Sequence, residues 1–246
     1  MARYWNEMSY SQPTKEKLKE NAKQTAEKAA AKGKMLHPIV ITSRQIAKSW
    51  WGKSWCENLE RYADYETRLS RGRRYVCTGA VVDLQINKGK ILARVQGTRK
   101  TPYKVEIRIS PLSEQRIEPI TKKCSARVET LEKLMTGDFP KELKDVFFEE
   151  GGLFPEPREI SFSCSCPDWA IMCKHIAATL YGVGARLDEE PLLFFSLRGI
   201  DTNRFVDVAI SNRVEAMLAN VNQPSKRILQ DTQIEDLFGV MQEGRR

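Results

Sequence analysis

The strongest constraint on this chain is a short segment that holds three of its six cysteines and one of its two histidines. The residues are Cys164, Cys166, Cys173 and His175, so that two pairs of possible ligands are separated by six residues. Residues two apart on an extended chain point to the same side, which lets both side chains of a pair face one ion. Three thiolates and one neutral imidazole complete the tetrahedral coordination of zinc and leave no position for water. The spacing therefore predicts one structural Zn2+ rather than a catalytic metal.

The energetic weight of such a site is large. Apparent zinc-binding free energies in small peptide sites are about 10–16 kcal/mol, whereas whole domains are stable by about 5–15 kcal/mol. We therefore expect the surrounding strand–turn–helix unit to need the ion in order to fold. Two other interpretations stay open, namely buried thiols beside a surface histidine and a redox-active CxC pair. A disulfide scaffold is not expected, because the chain is long and its first residues lack the apolar core of a secretory signal.

Charge is distributed unevenly along the 246 residues. Residues 1–123 carry 26 Lys and Arg against 12 Asp and Glu, a net charge of +14, whereas residues 124–246 carry 14 against 20, a net charge of −6. This asymmetry favours an anionic partner for the amino-terminal half, and nucleic acid, in particular DNA, is the class that fits best. The other interpretation is that the basic surface serves solubility alone.

Seven basic residues are candidates for nucleic-acid contact. They are Arg68, Arg71, Arg73, Arg74, Arg99, Lys100 and Lys174. We expect the four arginines at 68–74 to lie in a loop next to a strand, from which guanidinium groups could make bidentate phosphate contacts. The other three are weaker candidates, and Lys174 is included because it lies between two metal ligands. The alternative for all seven is a solvated charged surface.

Hydrophobic periodicity predicts an α+β fold. Apolar residues three and four positions apart predict a helix over residues 43–62 that begins at Ser43. Alternation of apolar and polar residues predicts three strands within residues 76–86, 91–95 and 103–109, joined as an antiparallel meander. We expect the tryptophan-rich helix to pack on the apolar face of this three-stranded meander, with Trp50, Trp51 and Trp55 in the core.

The rest of the chain is predicted to be mainly helical. The patterns predict helix within residues 111–148, with an apolar stripe at Leu131, Leu134 and Met135, followed by a linker at 151–157 and a strand at 159–163. The next helix has its stripe at Ile176, Leu180, Val183 and Leu187. A further helix is predicted near 201–219, with its stripe at Val206, Ile210, Val214 and Met217, and a short element at 234–239. Residues 11–34 contain one large apolar residue, Leu18, so we expect a mobile basic arm or a partly formed helix with no face to dock.

The cysteine cluster and several segments before it resemble a known family. The pattern CxC-x6-CxH on a strand–turn–helix resembles the SWIM zinc finger. Five further segments resemble bacterial SWIM zinc-finger proteins that accompany Swi/Snf-type helicase-like ATPases. They are Ser-Trp-Trp-Gly-Lys-Ser-Trp-Cys at 49–56, Tyr-Ala-Asp-Tyr at 62–65, Arg-Gly-Arg-Arg-Tyr at 71–75, Val-Gln-Gly-Thr at 95–98 and Pro-Tyr at 102–103. The resemblance spans about residues 39–200 and implies that the four residues of the cluster bind the metal. It also implies a module that binds nucleic acid or protein and brings no catalytic residues.

These observations predict four segments and a function. The segments are a basic flexible arm at 1–38, a basic α+β domain at 39–150, a SWIM zinc-finger module at 151–200, and carboxy-terminal helices with a tail at 201–246. The function expected is that of a non-enzymatic zinc-binding accessory protein that binds DNA mainly through phosphate, a Swi/Snf-type helicase-like ATPase, or both. The alternative is a protein–protein adaptor that docks through residues 192–195 and 234–238 and does not contact nucleic acid.

Catalysis is not expected from this sequence. With His175 bound to zinc, His37 is the one histidine left for general-base chemistry, and it lies in a Gly- and Pro-flanked linker without organised carboxylates. The sequence contains no GxxxxGK[ST] phosphate loop and no GxSxG elbow, so no small-molecule substrate is expected. No apolar run approaches the roughly 18 residues of a membrane span. We therefore expect a soluble, cytoplasmic protein without membrane contact.

Overall fold

The computed structural model of the protein describes residues 13–125, 133, 139, 141–149 and 151–220. The helices in these residues are α1 (Lys15–Ala30), α2 (Trp50–Glu60), α3 (Glu66–Cys77), α4 (Glu114–Ser125), α5 (Lys144–Phe148), α6 (Lys174–Glu189), α7 (Leu193–Leu197) and α8 (Asn203–Asn220). The strands are β1 (Val81–Asn87), β2 (Lys90–Val95), β3 (Tyr103–Ile109) and β4 (Ile160–Cys164). The predicted stripe at 131–135 and the predicted element at 234–239 fall outside the described residues, apart from Lys133. Within the described ranges, no helix has both the length and the apolar composition that a membrane crossing requires.

The four strands form one antiparallel sheet in the order β1-β2-β3-β4. The predicted meander is confirmed, and β3 alternates between buried residues such as Val105 and exposed residues such as Lys104, as expected for a half-buried strand. β4, which the sequence predicts as part of the metal-binding unit, pairs with β3 and places Cys164 opposite Val105. The first metal ligand therefore lies at the end of an outer strand of the main sheet.

The helix that packs on the sheet is α6, which contacts all four strands on one side and α2 and α3 on the other. This corrects the prediction that the tryptophan-rich helix covers the meander. The predicted stripe of α6 is buried, but so are Ala177, Ala178 and Gly182, so that this helix is enclosed on almost every side. A helix that is apolar around most of its circumference belongs in the centre of a protein. Its small residues allow both layers to approach closely.

The tryptophan-rich helix α2 begins at Trp50 and not at Ser43. Its N-cap is Ser49, whose hydroxyl accepts a hydrogen bond from the Gly52 amide at 3.0 Å. Trp51 and Trp55 are buried as predicted, and their indole N–H groups donate to carbonyls at the buried face of α6. Ser43 lies in an irregular segment and its hydroxyl donates to the carbonyl of Gln45 instead. Ser43 and Ser49 are therefore alternative N-cap residues for this helix, and the contacts of Trp51 and Trp55 with α6 favour Ser49.

The arginine run forms helix α3 rather than the predicted loop. Arginine has a high helix propensity, and the run buries Gly72, Tyr75 and Val76 on one side. The helix ends where Gly79 adopts φ +72° and its amide donates to the Val76 carbonyl, a conformation that glycine tolerates best. Because residues 76–77 complete this helix, β1 begins at Val81 rather than at residue 76.

Gly72 sets the distance between α3 and α6. A Cβ at this position would lie 2.5 Å from the Ala177 Cβ and 3.0 Å from the Ala178 backbone nitrogen, which are elements of the central helix and not flexible side-chain ends. We expect Gly72→Ala to destabilise the protein by about 1–3 kcal/mol through overpacking. Urea unfolding would measure it, with Ser70→Ala on the exposed face of the same helix as the control. Equal midpoints for the two variants would contradict this description of the contact.

Residues 15–30 form a docked helix, which corrects the prediction that this segment has no face to dock. Leu18 is fully buried and α1 packs against β1. Two polar contacts add to the single large apolar residue: Asn21 donates to the Gly97 carbonyl at 3.0 Å, and Thr25 donates to the Gln96 side-chain oxygen at 2.8 Å. One large apolar residue is sufficient because these partly buried hydrogen bonds supplement its contacts. The predicted domain boundaries stay predictions.

Helix α8 confirms the helix predicted near 201–219, but a different face is buried. Phe205 and Ala209 are buried, whereas Ile210, Val214 and Met217 of the predicted stripe are exposed. The segment 192–195, which the adaptor hypothesis treats as a docking surface, is also different from expectation. Phe194 and Phe195 are fully buried and belong to the core, and Leu192 and Leu193 are half-buried against it, so this segment offers only a small apolar surface.

Candidate metal centre

Two elements carry the four predicted ligands to one place. Cys164 ends β4, and Cys166 follows it before the chain turns back at Pro167. Cys173 is the N-cap residue of α6, and His175 lies in the first turn of that helix. The sheet and the central helix are packed against each other, so the two ligand pairs meet where the ends of these elements converge.

The ligand atoms have a spacing that suits a single ion. One atom from each of Cys164, Cys166, Cys173 and His175 lies within 4.8 Å of all the others. The His175 Nδ1 is 3.8 Å from the Cys164 Sγ and 3.9 Å from the Cys173 Sγ. Tetrahedral zinc, with bonds of about 2.3 Å to sulfur and 2.0–2.1 Å to nitrogen, places such atoms about 3.6 Å apart. The four residues are therefore positioned to bind one zinc ion, as predicted.

Two aromatic rings hold the imidazole of His175. Tyr103 stacks on it with ring centroids 4.1 Å apart, and Tyr75 meets it edge-on at 5.5 Å. The Nε2 atom is buried and has no hydrogen-bond partner among the described residues, whereas Nδ1 faces the sulfurs. Burial lowers the pKa of His175, which favours the neutral imidazole that zinc requires. The ring thus presents Nδ1 to the metal in a fixed orientation.

The thiols of the cluster differ from the other cysteines in their electrostatics. Hydrogen bonds from the Cys164 and Cys173 thiols lower the pKa of Cys166. The pKa of Cys164 is raised, first by its hydrogen bond to Cys166 and then by its hydrogen bond to Cys173. The thiolate form of Cys166 is therefore favoured, and the positive charge of a metal is needed to favour deprotonation of Cys164 and Cys173. By contrast, burial raises the pKa of Cys56 and of Cys124 to about 12, as expected for inert structural thiols. None of the six cysteines forms a disulfide.

The segment between the two ligand pairs, residues 167–172, is called the finger loop here. Its backbone is held by Asp64, which lies two residues before α3 and accepts hydrogen bonds from the amides of Ile171 at 2.8 Å and Met172 at 3.2 Å. Asp168 forms an ion pair with Arg68 at 3.0 Å. Sequence reasoning missed Asp64, because nothing in its local sequence indicates that it contacts residues more than one hundred positions away.

The structure separates the seven predicted nucleic-acid residues into two groups. Arg68 pairs with Asp168, and Arg73 pairs with Glu60 and donates to the Tyr181 hydroxyl at 2.8 Å, so both guanidinium groups are engaged within the protein. Of the other five, Arg71 and Arg74 lie near Tyr75, and Arg99 lies over the ring of Tyr103. Lys100 follows Arg99 in the chain, and Lys174 precedes His175. We call them the basic rim: Arg71, Arg74, Arg99, Lys100 and Lys174.

Contacts with the two tyrosines place members of the basic rim near the metal centre. The Arg99 guanidinium lies 5.2 Å from the ring centroid of Tyr103, and Lys100 follows it as an exposed residue. Burial raises the pKa of Tyr75, and the nearby charges of Arg74 and Arg71 lower it in part. Arg74 also donates to the Pro13 carbonyl at 2.5 Å. The buried Gln96 side chain, which accepts a hydrogen bond from Thr25 of α1, donates to the Arg99 carbonyl at 2.6 Å. This bond supports the segment that carries Arg99 and Lys100.

Comparison with known proteins agrees with the geometry of the site. Residues 160–182 match the SWIM zinc finger family, and this segment contains all four ligands. The uncharacterized protein Rv2102 of Mycobacterium tuberculosis is 37% identical over 160 residues, which are 64% of this chain and 57% of that relative. The matched part of this chain thus corresponds to little more than half of the relative's length. No solved structure shows a significant match.

Proposed function

We propose that this protein is a non-enzymatic accessory protein that binds nucleic acid, in particular DNA, through phosphate contacts around its zinc finger. The observation that carries this proposal is the position of the basic rim. Arg71 and Arg74 lie near Tyr75, and Arg99 lies over Tyr103 with Lys100 next to it in the chain. Lys174 precedes His175, the ring that both tyrosines contact and that would bind the zinc ion. Rigid placement of cations reduces the entropy lost when phosphates bind.

Within the basic rim, the Arg71 and Arg99 guanidinium groups are available to a ligand, whereas Arg74 is already bonded within the protein. The Arg71 side chain makes no hydrogen bond or ion pair to the described residues, and the Arg99 guanidinium contacts the Tyr103 ring. Guanidinium groups suit bidentate phosphate contact, and such contacts release counterions from the nucleic acid. They carry no sequence information by themselves. The binding mode proposed is therefore strongly salt-dependent and weakly selective for sequence.

We also propose a Swi/Snf-type helicase-like ATPase as the protein partner. Support comes from the sequence resemblance over residues 39–200. The structure places one of the segments that carry this resemblance in the interior, since Trp51 and Trp55 of residues 49–56 are buried against α6. The proposed partner would therefore contact other surfaces. Affinity capture from the native host followed by mass spectrometry tests this part, and absence of any such ATPase from repeated captures would contradict it.

The phosphate contacts are tested by removing three rim charges together. We expect Arg71→Gln/Arg99→Gln/Lys100→Gln to weaken binding to a duplex oligonucleotide roughly tenfold or more at low salt, and to reduce the slope of log K against log salt by about 2–3. Fluorescence anisotropy between about 50 and 200 mM salt measures both quantities. The three side chains stabilise little of the fold, so the unfolding midpoint should stay close to that of the parent protein.

A matched control removes the same charge at the other end of the sheet. Lys88 lies in the turn between β1 and β2, and Lys90 pairs with Arg108 across β2 and β3, away from the end where Val95 pairs with Tyr103. We expect Lys88→Gln/Lys90→Gln/Arg108→Gln to leave most of the affinity intact. If both triple variants lose affinity equally, binding follows net charge and the assignment to the basic rim is wrong.

A further inference from the structure

The finger loop exposes large apolar side chains beside the metal centre. Trp169 is 77% exposed and Ile171 is 69% exposed, whereas the structural tryptophans of α2 are buried or partly buried. The Trp169 ring touches Tyr65 edge-on with centroids 5.4 Å apart, and Tyr65 is also exposed. Solvent exposure of this much aromatic surface is unfavourable in the isolated protein, so a ligand that covers it gains binding free energy.

The loop that carries Trp169 is held in one conformation. Metal ligands flank it on both sides, and Asp64 accepts hydrogen bonds from two of its backbone amides. Asp168 accepts a hydrogen bond from the Ala170 amide at 3.3 Å and forms an ion pair with Arg68. The carboxylates of Asp64 and Asp168 are therefore engaged within the protein. Glu66, at the start of α3, is a third acidic residue close to them in the chain. The indole is presented on a rigid support rather than on a mobile tip.

The exposed indole lies next to the basic rim. Arg68 joins the two features, because its guanidinium lies 6.0 Å from the Tyr65 ring and Arg71 follows one turn later on the same helix. Lys174 starts the helix that leaves the finger loop. An aromatic platform beside cations that track a phosphate chain is the arrangement by which proteins bind unpaired nucleic acid.

We propose that Trp169 stacks on an unpaired base of a nucleic-acid strand whose phosphates contact the basic rim. This inference rests on the proposed function and specifies the form of the nucleic acid. Bases in a duplex have both faces covered by their neighbours, so an indole can stack only where a base is unpaired or displaced. A protein partner is the less favoured occupant, because cationic residues rather than further apolar residues continue the surface beyond Tyr65.

The test compares one variant on two probes. Binding of an oligothymidylate of about 15 nucleotides and of a duplex of the same length is measured by anisotropy with the zinc-loaded full chain. We expect Trp169→Ala to weaken binding of the single strand roughly tenfold and to leave duplex binding unchanged, since one base–aromatic stack has about that effect. Trp169→Phe, which keeps a ring, should recover part of the loss. Zinc content and the unfolding midpoint of both variants should match the parent protein.

Each outcome of this comparison decides the inference. A loss confined to the single strand supports it. Equal losses on both probes, or no loss on either while the Arg71/Arg99/Lys100 variant is impaired, overturn the stacking role and leave the proposed function standing. If the parent protein binds neither probe, both the stacking role and the proposed function are wrong.

Discussion

Cys166→Ala is expected to abolish stoichiometric zinc binding and to unfold much of the protein. The substitution removes one of four ligands, and structural zinc contributes about 10–16 kcal/mol, which rivals the net stability of a whole domain at about 5–15 kcal/mol. The effect should extend beyond the finger, because β4 belongs to the main sheet and α6, which begins at Cys173, is the central helix. Zinc content by mass spectrometry and far-UV circular dichroism measure the two effects.

Cys77→Ala is the matched control for this prediction. Cys77 is exposed at the end of α3 and is not part of the cluster, so its removal changes the thiol count without touching the ligands. This variant should keep its zinc and unfold within about 0.5 kcal/mol of the parent protein. The zinc assignment fails if Cys166→Ala retains the metal in full, or if chelation leaves the dichroism of the parent protein unchanged.

Glu159→Ala is expected to destabilise the protein by about 3–5 kcal/mol, or roughly 10 °C in Tm for a chain of this size. Arg198 is fully buried, and its guanidinium pairs with Glu159 at 2.9 Å and donates to the Ser110 carbonyl at 2.6 Å. Burial lowers the pKa of Arg198, which shows the cost of keeping its charge away from water. Removal of Glu159 leaves that charge without its counterion, although the carbonyl contacts persist.

A second substitution and a surface control make this prediction specific. Adding Arg198→Met to Glu159→Ala should recover part of the lost stability, because no buried charge then remains. Arg108→Ala removes an ion pair of similar length, 2.7 Å to Glu106, but Arg108 is largely exposed and its loss should cost less than about 1 kcal/mol. Thermal unfolding of the four proteins is sufficient. Equal shifts for Glu159→Ala and Arg108→Ala would show that burial of the Arg198 charge has little energetic consequence.

The features that the sequence predicts correctly are those carried by local spacing. The four ligands, the alternation in β2 and β3 and the stripe of α6 each repeat within a few residues, and the structure contains all of them. The alternation predicted for β1 is not kept, since residues 81–84 are all buried. Local spacing also predicts where the strand of the finger lies, although not that it joins the sheet, since pairing of β3 with β4 joins residues more than fifty positions apart.

The features that were predicted wrongly depend on contacts between distant segments. The arginine run becomes a helix because Gly72 packs on Ala177, and α1 docks because Asn21 and Thr25 reach Gly97 and Gln96. Nothing near these residues in the sequence indicates such partners. The basic rim illustrates the same limit: two of the four clustered arginines pair with acidic residues of the protein, whereas Arg99, a weaker candidate, lies over the ring that stacks on His175.

The ladder between β3 and β4 has a consequence for protein engineering. Residues 160–182 match a zinc finger, but in this chain the finger shares its only strand with a sheet built from residues far upstream. Transplanted alone into a host protein, that segment would carry its ligands and lose the neighbour that keeps Cys164 in place. Residues 160–182 are therefore not expected to fold and bind zinc independently, and a graft that binds zinc as the intact chain does would have to include β3.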